Sequence, residues 1–440
     1  MKLKTLITLA LFLLFFLGEI AITFSFKREN DSNYIEPGAV PISYKISNSN
    51  SNSMETQAFD SIITSFMNRY NIVGASVAVA KDGRLVYSKG YGMADKEVQD
   101  PVSPRNLFRI ASVSKLITAV AIMKLVEDEK LHIDDKVFGP DGILNDPQYL
   151  NYSDKRYEQI TIHQLLNHTA GWNGKKGDPV FNSLYVARIM DVPPPADMPV
   201  IIEYALSKRL NYTPGQKYSY SNLGYCILGE VIKKVTGMEY EEYVQFAILH
   251  PLGIYDMHIG KSFYDQRYPY EVRYYDQEKS PLIYAYNGSG DLVPAEYGGN
   301  NIELLGAAGG WVASAPELAK LMVAIDGFDS RPDILSKRTI RYMTKSKTHT
   351  NKLIGWRGAD GHGTWWRTGT LAGTTCLIMR HNNETNWVLL LNTTTNKRSR
   401  IHNEISRTMF SALRTVDDWP GYDLFNQELE IEAEPIFVAN

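Results

Sequence analysis

Apolar residues recur at intervals of three and four over Phe59, Ile62, Ile63 and Phe66, the spacing of one helix face, and predict a helix over residues 55–70. Two strand-like runs follow, 75–80 and 84–87, on either side of Lys81-Asp82-Gly83, an Asp-Gly turn that predicts a hairpin. Toward the other end, 375–379 and 387–391 predict a second hairpin about Asn382-Asn383, and a helical pattern over 401–413 comes after it. Between the hairpins, 107–111 reads as extended, while 116–126 and 223–235 read as helical. Strands at both ends with helices between them predict an α+β fold. A single antiparallel sheet is formed from both termini, with flanking helices and an inserted, mainly helical lobe.

The extreme amino end follows a different pattern. Lys2 and Lys4 precede an apolar run from Thr5 to Gly18, then Glu19, further apolar residues to Phe26, and Lys27-Arg28. Residues 1–26 are read as a targeting segment: 6–17 suits the apolar core of a signal peptide and falls short of the ~20 residues of a spanning helix. Ala21 and Thr23 form only a weak cleavage pair, so a retained anchor running across Glu19 is an equal alternative. No cysteine lies nearby to carry a lipid. Either reading exports the folded part, to the periplasm, the exterior or the outer side of a membrane. Residues 27–54, with the Ser/Asn run 47–53, read as a flexible linker, and 55–415 as the folded domain. The extension 416–440 has seven acidic and no basic residues, with Trp419, Phe425 and Phe437 to dock part of it.

Composition narrows the classes further. With 44% hydrophobic and 22% charged residues and a net charge of −3, the chain is ordinary globular protein without a basic footprint, and nucleic acid is not an expected partner. Two cysteines cannot make a disulfide framework. Cys226 and Cys376 each sit in an apolar run and are read as buried thiols, although pairing in an oxidising compartment stays open.

Three stretches carry candidate chemistry. In Ser112-Val113-Ser114-Lys115 the extended run passes into a helix, and positions i and i+3 share a helix face, so the Ser112 hydroxyl and the Lys115 amine can meet. A serine is a poor nucleophile until a base takes its proton, and a lysine made neutral by burial can be that base. The pattern alone also describes a capped helix with a surface lysine. Tyr220-Ser221-Asn222 offers a phenol to relay a proton and an amide to hold one, or simply a helix-capping turn. Arg367-Thr368-Gly369-Thr370 offers a cation, a hydroxyl and a bare backbone against which a ligand can lie, with Gly373 a further close approach, or else a plain glycine-containing strand.

In this order the three stretches resemble the serine β-lactamase and penicillin-binding-protein superfamily, and within it the class C-like branch of β-lactamases, DD-peptidases and related esterases. Phe108-Arg109-Ile110-Ala111, the run Leu165-Leu166-Asn167-His168-Thr169-Ala170-Gly171 and the run Gly309-Gly310-Trp311-Val312-Ala313-Ser314 extend the resemblance over about residues 57 to 415. It implies a β-lactamase/transpeptidase-like fold and an acyl-enzyme mechanism without cofactor. Ser112 would be the nucleophile, with Lys115 and Tyr220 sharing its proton and Asn222 orienting Lys115 and the substrate. Thr368 and Gly369 would line the substrate, and the N–H groups of Ser112 and Thr370 would form the oxyanion hole. The implied partner is a small-molecule or peptide substrate, such as a cell-wall D-Ala-D-Ala peptide, a β-lactam or a small ester. An esterase, a D-aminopeptidase or a non-turnover binding protein are the alternatives.

Arg367 departs from the family's usual Lys or His. Arginine cannot shuttle protons, so it is expected to grip an anionic substrate group and to favour ionised Tyr220. His163 and His168 are five apart, which misses the spacing of a helical metal pair, and no metal is expected. Of Trp365 and Trp366, strand alternation turns one toward a substrate. The Tyr-rich run 264–286 reads as a loop, with a cleft lining as the alternative. Sequons at Asn151 and Asn211 carry meaning only in a glycosylating host.

Overall fold

The computed structural model describes residues 40–276, 282–345, 353–397 and 400–427. The targeting segment, the first part of the linker and the end of the acidic extension with Phe437 lie outside them.

Helix α1, Gln57–Tyr70, leads into strands β1, Gly74–Lys81, and β2, Arg84–Asp95. Asp82 and Gly83 turn between them with φ of 50° and 74°, the left-handed pair that a two-residue hairpin needs. From the other end come β4, Gly358–Ala359, β5, Trp365–Leu371, β6, Thr374–Arg380, and β7, Thr385–Leu391. With the short β3, Asp100–Pro101, they form one seven-stranded sheet in the order β4-β5-β6-β7-β1-β2-β3. The two hairpins meet antiparallel along β1 and β7, with Ala75 opposite Leu391 and Lys81 opposite Thr385. The sheet is thus antiparallel and built from both ends of the domain.

Side chains alternate across the sheet and bury two cores. Val77, Val79, Trp387 and Leu389 pack with Phe59, Ile63 and Phe66 of α1 and with Ile405 and Met409 of α6, Ile401–Leu413. Ala78, Ala80, Val388 and Leu390 face the helical lobe. At its centre is α2, Ser114–Glu127, buried on nearly every side and packed near α3, Asn222–Thr236, and α4, Ile302–Gly309, while α5, Ala315–Val323, packs on β1, β2 and β7. A helix so enclosed can hold side chains at its start in fixed positions.

Several expectations change. The compact unit begins at Val40, and the Ser/Asn run is docked instead of acting as a tether. Asn48 donates to Val102 O and accepts from Gly90 N, while Ser51 is buried and exchanges two hydrogen bonds with the backbone of Ser88, at 2.8 and 3.0 Å. The run pairs polar side chains with a strand edge, so its lack of apolar residues did not mean lack of structure. The described part of the Tyr-rich run is mostly loop, yet Tyr274 is core: its hydroxyl accepts from Arg109 N and donates to Glu271. Trp365 and Trp366 do face opposite sides, but Trp365 packs on Trp356 and under Arg380. The extension docks through Trp419, edge-on to Phe59 and Tyr87, and through buried Phe425. Cys226 and Cys376 are both buried free thiols. Among the described residues no helix is long and apolar enough to cross a membrane.

Replacing Ser51 with alanine strands both backbone groups of Ser88 and is expected to lower stability by about 1–3 kcal/mol. A shift of the urea midpoint at unchanged slope checks it, and an unmoved midpoint contradicts the docking.

Candidate active site

The extended segment ends earlier than the sequence suggested. Phe108–Arg109 pairs with Trp311–Ala313, and then Ala111–Val113 form a tight 3-10 turn before α2 begins at Ser114. Ala111 takes φ of 48°, a left-handed conformation that costs a non-glycine residue on the order of 1 kcal/mol or more and persists only when its surroundings hold it. They do so from two sides. Ile110 N donates to Trp311 O at 3.0 Å, and Ile110 O accepts from the Cys376 thiol at 2.9 Å. On β5, Gly369 lies directly beneath: a Cβ there would come within 2.3 Å of Ile110 O and 2.5 Å of Cys376 Sγ. The glycine is therefore needed for packing against this turn, a demand that the sequence reading did not assign to it.

Tyr220 and Asn222 straddle the start of α3. Ser221 is the N-cap, its hydroxyl accepting from Gly224 N, and Asp178 Oδ2 accepts from Asn222 N at 2.7 Å. With both helix starts aimed at one point, Ser112 Oγ lies 2.7 Å from Tyr220 OH and 3.3 Å from Lys115 Nζ. Lys115 also donates to Asn222 Oδ1 at 2.8 Å and to Ala308 O. Two oxygens thus hold two of its N–H bonds, and the third direction faces Ser112, where Nζ can donate as an ammonium or accept as an amine.

Charge is tuned in the same place. Burial, and after it the charge of Arg367, lowers the Lys115 pKa against the pull of Tyr220. For Tyr220 burial acts upward, but Lys115 and Arg367 together outweigh it and bring the phenol down to about 8. Arg367 is only 2% exposed. Its Nε donates to Ser112 O at 2.7 Å and Nη2 reaches Tyr220 OH at 3.4 Å, so the fork expected to grip a substrate anion is directed at the site's own groups. Thr370 Oγ1 lies 3.4 Å from His402 Nε2, on α6. Thr368 stands between Arg367 and Gly369, half-buried.

The structure brings in groups the sequence reading did not assign. His168 lies against Tyr220, and its motif was visible, but only its metal-ligand spacing had been weighed. The carbonyl of Ala308 has no side-chain signal at all. Asp178 is remote in sequence. Arg357 is exposed and its Nη1 lies 3.2 Å from Tyr218 OH, two residues before Tyr220.

Comparison with known proteins bears on the family and the fold. The sequence model of the Beta-lactamase family matches residues 59–413. Protein flp of Staphylococcus aureus (strain NCTC 8325 / PS 47) is 29% identical over 228 residues, 52% of this chain and 43% of its own, so the match spans less than half of that relative. Esterase EstB of Burkholderia gladioli is 28% identical over 51% of this chain and 55% of its own. The D-amino acid amidase of Ochrobactrum anthropi SV3, solved with L-phenylalanine amide, superposes with a TM-score of 0.61 over 82% of this chain and 99% of its own at 21% identity, a likeness of fold.

A phenol with a pKa near 8 is increasingly ionised as pH rises through that value, so any reaction needing phenolate should gain rate there and level off above. In Arg367→Gln the lost cation lets the Tyr220 pKa rise, and each unit of rise costs about tenfold in phenolate at neutral pH. Arg367→Lys keeps the charge and should keep the midpoint. Ultraviolet titration of the phenolate, differenced against Tyr220→Phe, reads both; an equal midpoint in the glutamine variant contradicts the assignment.

Proposed function

The chain belongs to the β-lactamase family of serine hydrolases, and from that footing we propose that it cleaves an ester or amide through an acyl-enzyme on Ser112. The observation that carries the reading is the meeting of Ser112 Oγ with Lys115 Nζ, three positions on, at 3.3 Å and with Tyr220 OH, 108 positions away, at 2.7 Å. Ser112 Oγ attacks the carbonyl carbon while its proton passes to the Tyr220–Lys115 pair, which holds one base site between its two members. Positioned proton transfer of this kind contributes about 10²–10⁴ in rate. The negative oxygen of the tetrahedral intermediate is assigned to the N–H groups of Ser112 and Thr370, since donors aimed where charge develops stabilise the transition state most. Collapse breaks the bond to the leaving alkoxide or amine, which takes the proton back from the pair. Water then adds to the Ser112 ester, giving up its proton by the same route, and frees the acid.

Substrate choice follows from where the cations are. Since the Arg367 guanidinium is engaged inside, we assign recognition of a substrate carboxylate to Arg357, the exposed cation beside Tyr218 at the rim. A peptide or β-lactam with a free carboxylate is favoured over a neutral ester. Esterase and amidase names among the similar proteins support ester and amide chemistry as the range of bonds cleaved.

Intact-protein mass spectrometry after a β-lactam, and separately after a chromogenic acetate ester, should find an acyl adduct or turnover that Ser112→Ala abolishes. An adduct that survives the substitution, or a wild-type protein inert to both, overturns the proposal. A stable β-lactam adduct without release identifies a binding protein. In Arg357→Ala the KM for a carboxylate-bearing substrate should rise about tenfold or more with kcat little changed, as loss of a charged hydrogen bond predicts, while the acetate ester is unaffected. Equal effects on both substrates would remove Arg357 from recognition.

A further inference from the structure

Tyr220 lies in the segment just before a helix, where nothing in its own sequence fixes the ring. Its neighbours on both sides are tied to one residue. Ser219 N donates to His168 O at 2.8 Å, and Ser221 N donates to His168 Nδ1 at 3.3 Å. The His168 ring lies on the Tyr220 ring, 4.5 Å between centroids at 39°, and meets Tyr218 edge-on at 5.7 Å and Tyr225 at 5.1 Å. His168 is buried and takes φ of 59°, so that its carbonyl and its ring nitrogen face the same strip of chain. A left-handed, enclosed, non-glycine residue is an expense that few positions carry without a role.

We propose that His168 is the positioning residue that holds the Tyr220 phenol in line with Ser112 and between Lys115 and Arg367, a step beyond the proposed acyl transfer and resting on it. The clamp works with a neutral imidazole whose Nδ1 accepts from Ser221 and whose proton therefore sits on Nε2. A second proton would turn Nδ1 into a donor, break the bond to Ser221 and set a cation beside Lys115 and Arg367. Burial, reinforced by Arg367, Lys115 and Arg357, keeps the His168 pKa well below the ordinary imidazole value, so the clamp stays closed through the neutral range. The charged or titratable groups facing it are Arg367, Lys115, Arg357 and the phenols of Tyr218, Tyr220 and Tyr225.

The test compares His168→Phe with His168→Asn in the full chain. Phenylalanine keeps an aromatic face and loses the acceptor; asparagine keeps an acceptor and tolerates the left-handed backbone. Acylation by the chromogenic ester is measured per active site, titrated with a serine-reactive phosphonate, so that misfolded protein does not count. In the phenylalanine variant the rate per site should fall by up to about a hundredfold, as a misplacement near 1 Å does, with asparagine recovering part of it. The phenolate titration of Tyr220, which needs no turnover, should move upward in His168→Phe as the ring leaves its cations. A rate per site within twofold of the parent and an unmoved phenolate midpoint overturn the proposal, even where the thermal midpoint has dropped. A moved phenolate midpoint in a protein with no acyl transfer supports the clamp and defeats the functional reading alone.

Discussion

A buried amine governs the lobe around it. Lys115 is fully enclosed, and an enclosed polar group that lacks partners costs several kcal/mol, so each direction of its nitrogen must meet an oxygen. The oxygens come from Ser112 on its own turn, Asn222 at the start of α3 and Ala308 near the end of α4. Satisfying this one nitrogen therefore ties three segments far apart in the chain. The tie has a counterpart one turn along the helix, where Thr118 Oγ1 donates to Ala307 O at 2.6 Å and meets Tyr240 OH at 2.7 Å. Helix α4 is bent at Gly306, with φ of 21°, next to the carbonyls that serve both residues. Both carbonyls lie in the last turn of α4, where a helix has no N–H of its own to offer them.

The sheet supplies the second restraint. Strand β5 is pressed so closely on the Ile110–Ser112 turn that only glycine fits at 369, and Arg367, two positions earlier on the same face, bonds the Ser112 carbonyl. The strained Ala111 is thus held between an edge region of the sheet and the Trp311 strand. Strain of this kind sets the direction of the next side chain, because a tight turn aims Ser112 out of the core while Lys115 points into it. The sheet gains its rigidity from both termini: it has a helix layer on either side, and β1 and β7 at its centre are buried along nearly their whole length.

Electrostatics then divides the work. Two cations and one phenol share a space with little water, and the phenol gives way, its pKa falling while burial alone would have raised it. An arginine serves here through its fork, which reaches the Ser112 carbonyl and the Tyr220 phenol at once. The cost is reach: its guanidinium is turned inward on the site's own groups and is 2% exposed.

Much of this was legible beforehand. The periodicities of 59–66 and 401–413 and the turn residues Asp82-Gly83 specify elements whose cause is local, and local causes can be read from a line of text. Ser112 and Lys115 were legible for the same reason, since their separation of three lies within one turn of chain. What the sequence could not declare is what depends on a partner brought from elsewhere. The Ser/Asn run looked unstructured because its bonds are to a strand 37 positions away; Gly369 looked like room for a ligand because the turn above it is remote; Arg367 looked outward because its targets, a carbonyl and a phenol, become neighbours only on folding. The chain by itself determined which groups are present and how they repeat. The tertiary structure alone decided which of them lose water together, and burial in company is what sets their charge and their use.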